Sequence, residues 1–239
     1  MLMRRGDPSN ARTRSGGVSV GSVGAAVAGA AGGRKGSYPD EWNWDKQGVV
    51  SEVRDQTLGG ESNCSSCWAF AAAAALESRA RRDGTDPGPD LSEQQLIDCV
   101  TAEAGYSSYG CSGGTAEDVL TYASSAFIAS ERSYPPYTAR NGSRCQANLA
   151  AGGITLRSAP GYRVIAGNPE AIMDAVYNIG PVVAYVNVPA DDSFFFYDPA
   201  AYRDGVYPST AACTKLNSAG GYINHQWLLL AMFGLHIGC

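Results

Sequence analysis

The sequence has few charged residues, only two histidines and no long hydrophobic run. Charged residues make up 17% of its 239 residues, and the formal net charge is −5. We expect no nucleic-acid partner, because phosphate neutralisation requires a basic surface. A membrane-spanning helix needs at least about 18 consecutive apolar residues, and the candidate runs, residues 71–76 and 228–233, are far shorter. The sequence therefore predicts no transmembrane span.

The composition is otherwise that of a folded protein. Hydrophobic residues make up 44% of a chain that is long enough to bury a core. Seven cysteines lie between positions 64 and 239, which is many for a cytosolic enzyme and predicts disulfides in an oxidising compartment. A second Cys-x-x-Cys pair and paired histidines are both missing, so we expect no metal site and no cofactor.

The chain divides by composition near Tyr38. Residues 1–37 are rich in Gly, Ala, Ser and Arg, and we interpret them as a low-complexity tail that is either disordered or a targeting segment. The stretch 18–31 is a poor secretory signal, because glycines dilute its apolar core. A folded domain is predicted for residues 38–239.

Helix signals come first along this domain, and strand signals come later. Helices are predicted at 67–82, at 93–100 after a Ser92–Gln95 capping box, at 169–180 with Pro169 in the first turn, and from Thr115 to about Ala129. Strands are predicted at 181–188, 204–207 and 222–233. This order indicates an α+β fold with a helical half at about 38–160 and a β-rich half at about 161–239.

Cys67 is the best candidate for a reactive residue. It stands at the start of the predicted helix 67–82, where free backbone NH groups and the helix dipole favour an anion. Its thiol should therefore ionise more easily than a free thiol, whose pKa is about 8.5. The residues alone leave a second interpretation open, in which Cys64 and Cys67 are purely structural.

The segment NCSSCWAF at 63–70 resembles the papain family of cysteine proteases, whose Cys-Gly-Ser-Cys-Trp-Ala-Phe run carries the nucleophile as its second cysteine. Further segments follow in family order: WD at 44–45, VRDQ at 53–56, LSEQQLIDC at 91–99, YGCSGG at 109–114, GPV at 180–182, DGVY at 204–207 and NH at 224–225. The resemblance implies a cysteine peptidase with a helical half, a β-barrel-like half and an active-site cleft between them.

The resemblance also implies the catalytic roles. Cys67 would be the nucleophile, and His225 the base that carries its proton, whereas His236 lies near the C-terminus and is expected to be incidental. Gln56 would donate a hydrogen bond to the oxyanion. Residues 57–61 look inserted, and counting back from Cys67 without a gap reaches Glu61, whose carboxylate cannot donate when ionised. We prefer Gln56 and expect the insert to loop outward.

One family element is not found near the histidine. The family orients its histidine with the asparagine of an Asn-Ser-Trp-Gly motif, and residues 226–239 contain no asparagine. We expect slow turnover if the orienting residue is absent, because members of such a triad act as a unit. The last strands of the family fold would also be missing.

The resemblance implies two disulfides, Cys64–Cys111 and Cys99–Cys145, in the helical half. Cys213 would remain free or pair with Cys239. Gly113 and Gly114 would let a peptide backbone approach the cleft, although an ordinary tight turn is the alternative. Candidates for the main substrate pocket, each of which could instead be a core residue, are Ala116, Tyr185, Ile223 and Asn224.

Three functions remain open from the sequence. The first is a papain-like endopeptidase that acts on peptides or proteins through an acyl-enzyme. The second is a silent homologue that keeps the cleft and binds without turnover. The third is a thiol-disulfide oxidoreductase using Cys64 and Cys67. We expect a monomer that protein inhibitors can bind, in a lysosomal, vacuolar or secreted location.

Overall fold

A long helix, α1 (Cys67–Arg82), is the central element of the fold in a computed structural model of the chain. The bounds are those predicted, because an alanine-rich run favours helix and Gly84 follows the end with a positive φ of 67°. Nearly all of α1 is buried, as expected for a helix that is apolar on most sides. The structure describes residues 25–28, 38–39, 41–60, 63–84, 90–142, 144–147, 162–165, 169–186, 225–229 and 231–233.

Helices α2 (Glu93–Cys99) and α3 (Ala116–Ser125) pack against α1. Only half of the predicted capping box forms. The Ser92 hydroxyl accepts from the Gln95 backbone NH at 3.2 Å, but the Gln95 side chain does not return to Ser92. Instead, its Nε2 donates to the Phe127 carbonyl at 2.7 Å, and its Oε1 accepts from the Ala129 NH at 2.7 Å.

The predicted end of α3 is wrong, and the hydrogen bond between Gln95 and Ala129 explains why. The sequence predicted helix up to about Ala129, whereas α3 ends at Ser125 and Ala126 is already extended. Ala129 gives its NH to Gln95 and its carbonyl to the Ser92 NH at 3.0 Å, so both groups serve tertiary contacts. A helix through this position would lose those two hydrogen bonds, and no local pattern signals them.

The second half is built around α4 (Pro169–Asn178), which begins at the predicted proline. Strands β3 (Tyr162–Ile165), β4 (Val182–Val186) and β5 (His225–Leu229) belong to one four-stranded antiparallel sheet, with β4 paired directly to β5. The predicted strand 222–233 is instead two strands in different sheets, because β6 (Ala231–Phe233) pairs with β2 (Glu41–Asn43). The predicted strand 204–207 lies outside the described residues.

Two segments depart from the predicted domain layout. Strand β1 (Ala25–Ala28) lies between β3 and β4 in the sheet, although residues 1–37 were predicted to be a tail. Residues 25–28 supply backbone groups for strand pairing, while the rest of 1–37 lies outside the described residues. The β2–β6 pairing also places the start of the domain with the β-rich half. Strands β2 and β6 are far apart in the chain, so the local sequence of neither strand predicts their pairing.

Two apolar clusters form the core of the described residues. The larger one joins α1, α2 and α3 and includes the fully buried Trp68, Leu76 and Leu96. The smaller one surrounds α4 and includes Trp44, Ile172 and Val182. This division agrees with the predicted α+β architecture, in which a helical half and a β-rich half meet along α1.

The last turn of α1 connects to α4. The guanidinium of Arg82 donates to the carbonyl of Asn178 at 2.8 Å and also to the carbonyl of Ile179. Its carbon Cζ lies 5.5 Å from the centre of the Trp44 ring, within cation–π range. The positive charge thus satisfies carbonyls at the C-terminus of α4 and ties the two halves together.

Both predicted disulfides are present. Cys64 pairs with Cys111 and Cys99 pairs with Cys145. Each closes a loop of more than 40 residues within the helical half. Disulfides of this kind typically contribute about 2 to 4 kcal/mol each. Cys213 and Cys239 lie outside the described residues, so their pairing stays a prediction.

Candidate active site

Cys67 is the first residue of α1 and is held there by the loop that precedes it. The Cys64–Cys111 disulfide and a 2.9 Å hydrogen bond from the Ser65 NH to the Cys111 carbonyl anchor this loop to the segment around Gly110. The indole NH of Trp68 donates to the Gly110 carbonyl at 3.1 Å. Cys67 is 8% exposed and takes part in neither disulfide. The nucleophile candidate therefore has a fixed position at a helix N-terminus.

Ser66 precedes Cys67 at the N-cap position of α1, yet its hydroxyl makes no capping hydrogen bond. Serine is among the preferred N-cap residues because its oxygen normally accepts from an NH of the first turn. Here the Ser66 Oγ lies 2.8 Å from the Tyr137 hydroxyl instead. The first turn of α1 thus lacks a competing side-chain acceptor, which favours an anion at this end of the helix.

His225 is the first residue of β5 and lies opposite Val186 of β4 in the ladder. Helix α1 packs directly against β5, so the elements that carry Cys67 and His225 are neighbours. Burial lowers the pKa of His225 to about 4, because the charged imidazolium is poorly solvated there. The imidazole is therefore neutral at pH 7, the form that accepts a proton.

Gln56 lies beside the cysteine loop and is only 5% exposed. Its Nε2 donates to the Cys64 carbonyl at 3.3 Å, and its backbone carbonyl accepts from the Tyr137 hydroxyl at 2.7 Å. Within the described residues, its Oε1 is buried and has no hydrogen-bond partner. An amide carries two NH bonds, so one remains for a further acceptor when the other binds Cys64.

The predicted insert after Gln56 begins with a tight turn that points outward. The carboxylate of Asp55 accepts from the NH groups of Thr57 and Gly59, at 2.8 and 2.7 Å. Leu58 and Gly59 both have positive φ angles, and Leu58 is 46% exposed. Residues 58–60 are exposed whereas Thr57 is buried, so the described part of the insert turns toward solvent, and its course relative to the site stays a prediction. Glu61, the alternative to Gln56, lies outside the described residues.

Gly113 and Gly114 differ in the space around them. A Cβ on Gly114 would lie 2.6 Å from the Trp68 ring and 2.6 Å from the Ser108 hydroxyl, so packing requires glycine there. Gly113 has a φ of 107° and open space where a Cβ would be. The sequence interpretation of two glycines that admit a peptide backbone therefore fits Gly113 sterically, whereas Gly114 has a structural reason of its own.

The structure brings together two of the four predicted pocket residues. Ala116 is fully buried at the start of α3, and its backbone hydrogen-bonds the hydroxyl of Tyr185 on β4. That hydroxyl also donates to the carboxylate of Glu117. Burial first, and then Glu117, raise the pKa of Tyr185, so the phenol stays protonated. Ile223 and Asn224 lie outside the described residues.

Sequence reasoning missed Tyr137, Ser66 and Glu117. Each acquires its role through a contact between segments, such as the 71-residue separation of Ser66 and Tyr137. The run of prolines before Tyr137 signals only an extended segment. Pairwise contacts of this kind have no local sequence signal.

Three further observations bear on the class of the protein and its site. In the described residues, no group of three or more His, Cys, Asp or Glu side chains is arranged to hold a metal ion. Among the helices that the structure describes, none is long and apolar enough to cross a membrane. The Cys64–Cys111 bond also takes Cys64 away from Cys67, so the dithiol pair needed for a Cys-x-x-Cys oxidoreductase is not formed.

A buried cysteine starts α1, and this helix packs against β5, which begins with histidine; cysteine nucleophiles are activated by a base in arrangements of this kind. Comparison with known proteins specifies the family. The family described as papain family cysteine protease matches residues 38–229. This chain belongs to the papain family of cysteine proteases, as the resemblance indicated.

Individual relatives agree with this assignment. Cathepsin S of Bos taurus is 36% identical over 212 residues, which cover 84% of this chain and 57% of that protein. Cathepsin K of Mus musculus is 36% identical over 172 residues, covering 71% of this chain and 47% of that protein. The chain thus spans about half the length of the curated relatives it matches.

Solved structures share the fold. Digestive procathepsin L 3 of Tenebrio molitor larval midgut superimposes with a TM-score of 0.61 at 28% identity, covering 82% of this chain and 56% of that one. The Carica candamarcensis cysteine protease CMS1MS2, solved in complex with E-64, gives a TM-score of 0.56 at 26% identity, covering 81% and 78%. The predicted α+β papain-like fold is therefore confirmed.

Proposed function

We propose that this protein hydrolyses peptide bonds as a cysteine endopeptidase. Cys67 attacks the peptide carbonyl as a thiolate, and His225 holds the proton and passes it to the leaving amine. A water molecule, deprotonated by His225, then attacks the acyl-enzyme and releases the carboxylate product. Gln56 donates to the oxyanion of each tetrahedral intermediate. The supporting observation is the packing of α1, which begins at Cys67, against β5, which begins at His225.

The electrostatics are consistent with a proton-accepting His225. A pKa lowered by burial keeps the imidazole neutral until a partner anion appears. The helix N-terminus stabilises the thiolate that forms when the proton moves. The neutral imidazole can therefore accept the proton of Cys67 before the thiolate attacks.

We propose that the substrate lies along the open side of Gly113, with one side chain directed toward Tyr185. Gly113 supports this, because its Cβ direction is unobstructed. Ile223 and Asn224 remain candidates for the same pocket. Substrates would be peptides or proteins, and protein inhibitors that occupy the cleft would compete with them.

We propose a monomer in a lysosomal, vacuolar or secreted location. The two disulfides support an oxidising compartment, since such bonds are rarely maintained in the reducing cytosol. Size-exclusion chromatography with light scattering tests the first part, and imaging of the tagged full-length protein tests the second.

Electrophile labelling combined with hydrolysis tests the activity. An epoxide of the kind that alkylates papain-like enzymes should modify Cys67 in the wild-type chain, located by mass spectrometry, and Cys67→Ser should abolish that label. Cys213→Ser serves as the matched control and should leave labelling and hydrolysis of a fluorogenic peptide unchanged. Labelling without hydrolysis would indicate a silent homologue, and absence of both would contradict the proposal.

A further inference from the structure

Tyr137 connects the two segments that carry the nucleophile and the oxyanion donor. Its hydroxyl donates to the Gln56 carbonyl at 2.7 Å and lies 2.8 Å from the Ser66 Oγ. A phenol has one hydrogen, which the Gln56 carbonyl must accept, so the Ser66 hydroxyl is the donor to Tyr137. A continuous chain therefore runs from Ser66, next to Cys67, through Tyr137 to Gln56.

The Tyr137 ring is itself fixed in position. It meets the Phe70 ring edge to face, with centroids 4.9 Å apart, and Phe70 lies in the first turn of α1. The Tyr137 NH donates to the Glu131 carboxylate at 3.4 Å. Burial raises the pKa of Tyr137 to about 12, so its hydroxyl remains a donor throughout the working pH range.

We propose that Tyr137 is a positioning residue that sets the distance between the Gln56 amide and Cys67. Ser66, Cys67 and Phe70 move together as the first turn of α1, and Tyr137 touches that turn at Ser66 and Phe70. On its other side it holds the main chain of Gln56. By engaging the Ser66 hydroxyl, it also keeps that group from capping the helix end. This inference rests on the proposed hydrolytic function.

Tyr137→Phe is the sharpest test, because it removes one oxygen and preserves the ring. Removing an oxyanion donor outright typically costs about 10² to 10³ in kcat, so a displaced donor should cost about tenfold, with KM unchanged. Tyr134→Phe is the matched control. Tyr134 is also buried, its hydroxyl contacts Asp98 and Gln146, and its pKa is likewise raised to about 12 by burial. It should leave kcat within about twofold of wild type, since its partners lie away from the site.

Two further readouts separate positioning from general damage. In a Gln56→Ala background, Tyr137→Phe should add less than about twofold, because a missing donor cannot be displaced. Alkylation of Cys67 by iodoacetamide involves no oxyanion, so Tyr137→Phe should slow it much less than it slows hydrolysis, and only as far as the released Ser66 hydroxyl caps the helix. Parallel losses of alkylation and hydrolysis, or effects of Gln56→Ala and Tyr137→Phe that multiply, would overturn the proposal.

A last readout does not depend on turnover. The side-chain amide resonances of Gln56, assigned by their absence from Gln56→Ala, should shift in Tyr137→Phe and remain in place in Tyr134→Phe. If the wild-type chain does not hydrolyse peptides, the proposed function fails while this shift still supports the positioning role. Unmoved resonances in Tyr137→Phe would overturn the role whether or not the enzyme is active.

Discussion

The helical half and the β-rich half of this protein are held together by different interactions. In the helical half, buried polar side chains such as Gln95 and Glu77 receive or donate hydrogen bonds between segments, and two disulfides close long loops. The described part of the β-rich half depends on strand pairing and on the apolar cluster around α4. Cys67 therefore lies in a region that disulfides and side-chain hydrogen bonds connect. His225 lies on β5, which is the end strand of the four-stranded sheet among the described residues. The position of Cys67 relative to His225 therefore depends on the contact between α1 and β5.

Substitution of the proposed nucleophile or the proposed base, one from each half, should give the largest effect. Cys67→Ala and His225→Ala should each lower kcat by at least about 10³-fold, and the double variant should be no worse than either, because the pair acts as a unit. Peptide hydrolysis under saturating substrate measures this. His236→Ala is the control and should keep wild-type activity. Loss of hydrolysis in His236→Ala, with activity retained in His225→Ala, would show that His236 is the base.

Removal of a helical-half disulfide should be the largest stability change. Cys99→Ser with Cys145→Ser should lower the free energy of unfolding by about 2 to 4 kcal/mol, since a 46-residue loop is released in the unfolded chain. Urea unfolding followed by tryptophan fluorescence measures it. Ser125→Ala, at an exposed position, is the control. If the double variant lowers the free energy of unfolding no more than Ser125→Ala does, the Cys99–Cys145 disulfide contributes little to stability.

Gln95→Leu should cost about 2 kcal/mol, because the Phe127 carbonyl and the Ala129 NH lose their buried partner. Gln47→Leu, an exposed position, is the matched control and should change stability by less than about 0.5 kcal/mol. Equal unfolding midpoints for the two variants would show that water replaces the Gln95 contacts at no cost.

The two halves should also respond oppositely to pH. Burial raises the pKa of Glu93 in the helical half to about 8 from 4.5, so its native form holds a proton that the unfolded chain has lost. Its contribution is present below pH 4.5 and disappears as pH rises to 8, at up to about 1.4 kcal/mol per pH unit. Burial also raises the pKa values of Glu77 and Glu131, which act in the same direction.

His225 acts in the opposite direction. Its native pKa of about 4 lies below the ordinary 6.5, so its contribution is present above pH 6.5 and is lost as pH falls toward 4. The contribution of His225 offsets part of the fall between pH 4.5 and 6.5, so stability should fall less steeply there than from 6.5 to 8. Glu93→Gln should flatten that fall, and His225→Ala should extend it to lower pH, as urea midpoints at several pH values will show. An unchanged profile in Glu93→Gln would contradict this explanation.

Local sequence signals predicted α1 and the start of α4, whereas the two disulfides were predicted by another route. The alanine run and the basic last turn specify α1 without help from other segments. The disulfides followed from resemblance to a family and not from geometry. The end of α3, the partner of β6 and the Tyr137 contacts could not be predicted, because each depends on a residue more than 30 positions away.

At the candidate site, the same distinction applies. The helix position of Cys67 could be inferred from residues 63–82 alone. The diversion of Ser66 from its normal capping role could not, because serine before a helix signals a cap wherever it occurs. A substrate contact at Gly114 could likewise be inferred from the sequence, whereas the packing of Trp68 and Ser108 against it could not.

Helix α1 begins at Cys67, the proposed nucleophile, and ends at Arg82, which contacts α4. At 1.5 Å per residue, its 16 residues form a rod about 24 Å long. A helix is stiff along its axis. A shift of the C-terminus of α4, to which Arg82 donates hydrogen bonds, should therefore move α1 as a unit and not compress it. Because Arg82 binds the carbonyls of Asn178 and Ile179, we expect a movement of α4 to be transmitted along α1 to Cys67.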